Sequence, residues 1–315
     1  MSAVTEVLSH GRTQLGKVIV GQSILIDQVM MVLLCNGHAL MEGAPGLAKT
    51  LLVKATSNIL QVGFQRVQCT SDLMPADILG TNVLNSATAS FNLHKGPIFT
   101  DLLLVDEINR MPPRTQAALL EAMEERQVTI DGVRHALSTG FSVFATQNPV
   151  EFEGTYPLPE AQLDRFLAKL IVDYPEADDE IAVLQLHHKG FDIHTLGSIG
   201  LEPFPSDLLS QARQEIKNVQ VEPALFSYLT KIIRRTREWP SIALGASPRA
   251  AINLLLFAKA NAAADGREFL IPDDVKATAL PVLRHRIMLK PDAELEGMTS
   301  DHVLTDVLKA VEVPR

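Results

Sequence analysis

Between the short apolar run His38-Ala-Leu-Met-Glu42 and the helical composition of Thr50-Leu-Leu-Val-Lys-Ala55 stands the segment Gly43-Ala44-Pro45-Gly46-Leu47-Ala48-Lys49-Thr50. A run of that length suits a buried parallel strand, and a glycine turn in this place must hand the chain straight to a helix N-terminus. Gly43 and Gly46 let the backbone curl so that successive N–H groups point inward, where the positive end of the helix dipole adds to their attraction for phosphate oxygens. In that geometry Lys49 reaches the β- and γ-phosphates and Thr50 ligates Mg²⁺, so the segment predicts binding of a nucleoside triphosphate. The position before the lysine, glycine in the common pattern, is Ala48. Alanine tolerates helical dihedrals and adds only a methyl group, so the loop is expected to survive the change.

The second half of such a site lies at Asp101-Leu-Leu-Leu-Val-Asp106-Glu107. Aliphatic residues ending in two carboxylates read as a central parallel strand, buried on both faces, whose C-terminal edge delivers acids to the nucleotide. Asp106 then holds the Mg²⁺ shell, and Glu107 orients and deprotonates the attacking water. Alone, these residues would equally suit a buried strand stopping at a solvated acidic turn. Paired with the loop upstream they predict a triphosphatase core, and Glu107 favours hydrolysis over binding alone.

A chain of 315 residues can bury a sizeable core and is expected to form two domains. Its 28 Lys and Arg stand against 37 Asp and Glu, a formal charge of −9, which argues against a global nucleic-acid or anionic-membrane footprint while leaving room for a local basic pore. Cys35 and Cys69 are too few for a disulfide framework and lack metal-ligand spacing, so they read as small core residues. Residues 1–17 hold no apolar signal core, and the apolar stretch 250–264 is interrupted by Asn253, Lys259 and Asn261. Cytoplasm is the default compartment.

Residues 5–14 have helical composition and lead into Val18-Ile-Val20-Gly21-Gln22, where Val20 and Gly21 could lie against an adenine ring or simply pack. Ser23 is placed to cap a helix over 24–36. Strands are expected at 38–42, 64–69, 102–107, 141–147 and 167–173, with helical patterns between most of them, which predicts a parallel α/β sheet with helices on both faces. Two insertions break the alternation. Residues 80–96 are polar and turn-rich, consistent with a β-excursion flanking a short helix. After a helix over 115–125, residues 127–136 carry Asp131-Gly132, a hairpin turn signal between alternating flanks. Both read as projecting loops, either partner contacts or surface hairpins.

The strand at 141–147 ends in Asn148-Pro149, whose amide could hydrogen-bond the γ-phosphate or the lytic water. Arg165 stands just before the last strand. In a monomer it would be a surface or salt-bridged residue; in a ring it could reach the γ-phosphate of a neighbouring subunit, worth about 10³–10⁵ in rate. Taken together, 43–50, 102–107, Phe144-Ala-Thr-Gln-Asn-Pro149 and 158–166 resemble the MoxR family of AAA+ ATPases over nearly the whole chain. Ala48 is what that family typically shows. The insertions match its helix-2 insert and the hairpin before the first sensor, features shared with magnesium-chelatase motor subunits. The resemblance implies an α/β P-loop AAA+ core, a parallel sheet flanked by helices, followed by a smaller all-α lid.

Residues 191–205 read as a Gly/Pro-containing connector, which divides the chain into a nucleotide-binding domain at 1–190 and an all-α lid at 206–315. Helices are expected at 206–217, 222–238, 247–264 and 272–289, the third with a Ser247 cap and Pro248 in its first turn. Arg249 also sits in that first turn, an unfavourable place for a cation unless an anion is near. By the resemblance it is placed like the second sensor, reporting the γ-phosphate to the lid; without it, a surface arginine would be preferred. Arg110 and Arg114 are second-choice interface residues, Gln68 and Thr70 are candidates to orient Glu107 at rest, and Arg234-Arg235 and Arg284-His285-Arg286 read as solvated faces or subunit contacts. His187, His188 and His194 complete no metal pattern. The resulting expectation is an ATP- and Mg²⁺-dependent hydrolase working as a ring, a hexamer by the resemblance. It would remodel a client or mature its metal cofactor, often through a von Willebrand factor A domain partner. The alternatives are a nucleic-acid motor of the same superfamily and a nucleotide-gated scaffold of low turnover.

Overall fold

A computed structural model of the chain describes residues 2–86, 89–149, 154–192, 199–205 and 207–314. The chain opens with α1 (Ala3–Leu15) and α2 (Ser23–Leu34), then runs through β1 (Ala39–Glu42), α3 (Lys49–Leu60), β2 (Phe64–Gln68) and α4 (Pro75–Leu79). A hairpin of β3 (Gly80–Asn85) and β4 (Ser90–Lys95) follows, then β5 (Leu102–Asp106) and α5 (Pro113–Glu125). A second hairpin, β6 (Gln127–Ile130) with β7 (Val133–Ala136), precedes β8 (Ser142–Gln147), α6 (Glu160–Leu163), β9 (Ala168–Ile171) and α7 (Ala177–His188). Thereafter come α8 (Leu208–Asn218), α9 (Pro223–Glu238), β10 (Ile242–Leu244), α10 (Pro248–Ala264), α11 (Pro272–Leu283), β11 (Met288–Leu289), α12 (Pro291–Leu295) and α13 (Ser300–Ala310).

The expected sheet is present, with five parallel strands in the order β2-β5-β8-β1-β9. All of β5 and most of β8 are buried, as their unbroken aliphatic runs require of central parallel strands. Because every strand runs the same way, the C-terminal ends of β1, β5 and β8 come together at one edge, where ligands of open α/β sheets bind. Both insertions fold as hairpins: Asp131 and Gly132 take φ 49 and 80, the left-handed pair a two-residue turn needs. Asn82 Nδ2 donates to Asp131 Oδ2 across 2.7 Å, so the two hairpins stand side by side.

One apolar cluster runs from α1, α2 and α3 across one sheet face into α8–α11 and α13. The N-terminal helix docks on the C-terminal helices: Glu215 accepts from the backbone N–H of Ala3 (2.8 Å) and Val4 (3.0 Å), a carboxylate at the positive end of α1. Residues 199–205 are tied down at Phe204, whose N–H donates to the Ile59 carbonyl at 2.8 Å.

Four expectations need correction. Ser23 is the first residue of α2 rather than its cap; Gln22 takes the cap position without a side-chain capping bond, its Nε2 donating instead to the Asp173 carbonyl at 3.0 Å. The helix expected over 272–289 ends at Leu283, because Arg286 turns inward and its guanidinium takes the carbonyl of Val282 in the last turn. Met288–Leu289 then pairs antiparallel with Ile242–Leu244, so the C-terminal region is not helix alone. Finally, Arg284-His285-Arg286 is no solvated face. The Arg286 side chain is 1 % exposed and Arg284 pairs with Asp301 at 2.9 Å. His285 Nε2 contacts the Phe166 carbonyl at 3.1 Å, which makes this tripeptide part of the joint against the segment before β9. The start expected at Ser206, and His194, lie outside the described residues. No helix among those described is long and apolar enough to cross a membrane.

Candidate nucleotide site

The loop between β1 and α3 closes on the end of β8 through Gly43 N–H, which faces the Gln147 carbonyl at 3.4 Å. A Cβ on Gly43 would strike the Val172 carbonyl, so glycine is required there by space. Gly46 takes φ 84 and needs glycine's backbone freedom. Ala48 departs from the expected right-handed dihedrals: it lies at φ 55 and ψ 19. The left-handed region costs a non-glycine residue roughly 1–2 kcal/mol, so the loop keeps its shape at an energetic expense that glycine would avoid.

Lys49, first residue of α3, donates from Nζ to the carbonyls of Gly43 (2.6 Å) and Ala44 (2.9 Å). Burial pushes its ammonium below the usual lysine range, opposed by the carboxylates of Asp106, Glu107 and Glu42. Thr50 Oγ1 lies 3.3 Å from Asp106 Oδ2. The other Asp106 oxygen accepts from Thr146 Oγ1 at 3.2 Å. Thr146 Oγ1 in turn accepts from the Glu107 N–H at 2.9 Å, so one hydroxyl on β8 fixes both acids. Glu107 turns off the strand at φ 58, and its Oε2 meets Arg110 Nη1 at 3.2 Å. A non-glycine residue held in that region at a strand end is the kind of local strain found at functional sites.

These groups line one cleft of ≈ 440 Å³ together with Asn148, Gln147, Gln68 and Arg66. It adjoins a larger cavity of ≈ 940 Å³ that shares the phosphate loop and has apolar walls from Val18, Val20, Leu51, Tyr174 and Leu184. Val20 therefore stands where an adenine could lie. Gly21 does not line this cavity; its φ of 73 turns the chain where a Cβ would strike Asp179. A polar cleft continuing into an apolar one fits a nucleotide. The oxygen donors Thr50 and Asp106 fit Mg²⁺, which commonly takes one or two protein oxygens plus substrate phosphates. Among the described residues no cluster of three or more His, Cys, Asp or Glu could hold a metal. Both cysteines are free, and burial pushes each thiol up to about 12.

Arg66 was not singled out in the sequence, yet its Nε sits 2.6 Å from Asp106 Oδ2. Alternation alone put Arg66 on the face of Gln68; the register of β2 on β5, which sets Gln68 opposite Asp106, is what brings that face to the acid. The expected roles of Gln68 and Thr70 do not hold. Gln68 Oε1 accepts from Arg66 at 2.9 Å and Thr70 bonds Asp72; Glu107 is held by Arg110 instead.

Arg165 and Arg249 lie outside the cleft. Both turn to Glu124 near the end of α5: Arg165 Nε is 2.9 Å from Glu124 Oε2, and Arg249 Nη2 bonds Glu124 Oε1. The anion that a cation in the first turn of α10 calls for is thus this carboxylate, which the Arg249 bond above all holds below the usual glutamate range. Ser247 caps α10 as expected, accepting from Ala250 N–H at 3.2 Å. Arg110 is engaged by Glu107, and Arg114 is exposed.

A parallel sheet whose phosphate loop, acid pair and polar strand end share one edge, followed by a helical bundle, defines a P-loop ATPase fold of the AAA class. The model of the ATPase family associated with various cellular activities matches residues 38–168, and an AAA lid domain matches 234–307. The chain is 38 % identical to the chaperone MoxR1 of Mycobacterium tuberculosis, over 100 % of this chain and 84 % of the relative. It is 43 % identical to YeaC of Bacillus subtilis, over 98 % and 95 % of the two. The crystal structure of a Cytophaga hutchinsonii protein described as a candidate ATPase superposes with a TM-score of 0.88 at 37 % identity, covering 99 % of this chain and 96 % of that one. The chain belongs to the MoxR family of AAA ATPases.

Proposed function

We propose that the chain hydrolyses ATP and couples the cycle to remodelling of a client protein. The observation that carries this reading is Glu107: it stands beside Lys49, Thr50 and Asp106, turned off its strand with its backbone fixed by Thr146. Lys49 and the loop N–H groups would bind the phosphates, and Thr50 and Asp106 would hold Mg²⁺, which neutralises phosphate charge when bound. Glu107 would take a proton from the attacking water, with Asn148 at the same cleft orienting water or γ-phosphate. The bond from Arg110 to Glu107 would have to yield for that proton transfer. Val20 would pack against the base.

Arg165 and Arg249 both turn to Glu124, away from their own cleft, which supports a role toward a nucleotide held by a second copy in a ring. For Arg249 this changes the direction of sensing, from its own subunit's nucleotide to a neighbour's. A hexamer, a von Willebrand factor A domain partner, metal-cofactor maturation and a cytoplasmic setting belong to this proposal through the family. So does division into a nucleotide domain (1–190), a linker (191–205) and a lid (206–315).

Replacing Glu107 by Gln tests the reading. ATP turnover should fall by at least about 10² while nucleotide affinity stays near that of the parent protein. Unchanged turnover would exclude Glu107 as the base.

A further inference from the structure

We infer that Glu124 is a positioning residue which gathers Arg165 and Arg249 into a single receptor for the terminal phosphoryl group of a nucleotide bound to a second copy of this chain. The inference rests on the ring reading above and adds to it the group that aims the arginines.

The two guanidiniums come from different parts of the fold, one from the turn between α6 and β9 and one from α10, yet each bonds a separate oxygen of the same carboxylate. Their backbones are fixed by a second, deeper acid. Asp164 Oδ1 accepts from the buried Arg286 at 2.7 Å, and Asp164 Oδ2 accepts from Ser247 Oγ at 2.9 Å. Asp164 directly precedes Arg165, and Ser247 caps the helix that carries Arg249. That clamp leaves only the long side chains to be ordered, at a cost in rotamer freedom. Two like charges drawn to one carboxylate would also repel each other. Glu124 opposes both effects at one point.

The charge balance favours this role over a closed ion pair. Two guanidiniums against one carboxylate leave a positive charge on the face, and Arg126 lines the same ≈ 220 Å³ hollow with Arg165 and Arg249. Arg126 is itself spent on the carbonyls of Thr139 (2.8 Å) and Asn36 (2.9 Å), so it adds field rather than a moving donor. A guanidinium carries five N–H donors in a rigid fork, and the bond to Glu124 uses one from each arginine. An incoming phosphoryl oxygen is therefore met by a pair already aimed.

The test uses the full chain in its assembled form. Glu124→Ala should lower kcat for ATP about ten- to a hundredfold with KM and nucleotide affinity within about twofold, the cost of misplacing groups that touch only the reacting phosphate. Glu124→Gln, which keeps an acceptor but not the charge, should fall between. Mixing Glu124→Ala subunits with Lys49→Ala subunits supplies intact arginines next to intact clefts, and should restore turnover above either variant alone; a general folding defect would not be rescued. Unchanged or raised kcat in Glu124→Ala, or no rescue on mixing, overturns the inference. If Arg165→Ala itself leaves turnover unchanged, the ring reading fails and Glu124 falls with it. If Arg165→Ala is damaging and Glu124→Ala is not, the ring reading stands and only the assignment of Glu124 is lost.

Discussion

The nucleotide cleft and the arginine face achieve order by opposite means. In the cleft, order comes from the backbone: a strand end, a left-handed Ala48 and a left-handed Glu107 place the groups, with the buried Thr146 hydroxyl joining the two acids. At the arginine face neither Arg165 nor Arg249 has an unusual φ; long side chains are held by the carboxylates of Glu124 and Asp164. A site fixed by backbone can meet its ligand within one chain. A site fixed by ion pairs on a half-exposed surface suits a ligand that arrives with another molecule.

Exchanging one cation in each region gives the sharpest separation. Lys49→Ala should abolish both nucleotide binding and turnover, whereas Arg165→Ala should leave binding intact and lower turnover in the assembled protein by about 10³. Equal loss of affinity in both variants, measured by titration with a fluorescent ATP analogue, would erase the distinction between the two regions.

The difference also explains what the sequence disclosed. Cleft residues sit in short contiguous motifs whose spacing is set by strand–turn–helix geometry, so Lys49, Thr50, Asp106 and Glu107 could be placed without knowing the packing. Arg66 was one step away: alternation puts it on the face of Gln68, but only strand register shows that this face lies beside Asp106. Glu124, Asp164 and Arg286 had no local signature at all. Arg286, just after α11, reaches Asp164 only when that region docks against the segment before β9, Glu124 on α5 joins through Arg165 and Arg249, and a buried arginine there looks, in sequence, like any solvated basic cluster.

His38 connects the regions and offers a smaller test. At the foot of β1, its Nδ1 accepts from Val143 N–H at 2.9 Å and its Nε2 meets the carbonyl of Met123, next to Glu124, at 3.2 Å. Burial above all pushes it down to about 4 from an ordinary 6.5. The folded form therefore refuses a proton that the unfolded chain accepts. Stability from this residue is complete above about pH 6.5 and is lost as pH falls toward 4, roughly 2 kcal/mol of it between pH 7 and pH 5. Burial and Arg286 push His285 in the same direction. Urea unfolding of His38→Gln should show a correspondingly flatter slope across this window; an unaltered slope would place the titration elsewhere.

The smallest effect belongs to the residue that departs from the common phosphate-loop pattern. Ala48 at φ 55 forgoes roughly 1–2 kcal/mol that glycine would keep. Ala48→Gly relieves this but adds freedom to the unfolded chain worth about 0.5–1 kcal/mol, so the net gain in stability should be no more than about 1 kcal/mol, with ATP affinity within twofold. Gly43→Ala is the proper contrast, because a Cβ on its present backbone would meet the Val172 carbonyl. If Ala48→Gly instead weakened ATP binding severalfold, the alanine would be stiffening the loop, and the ordering by backbone seen in the cleft would depend on that methyl group as well as on the turn.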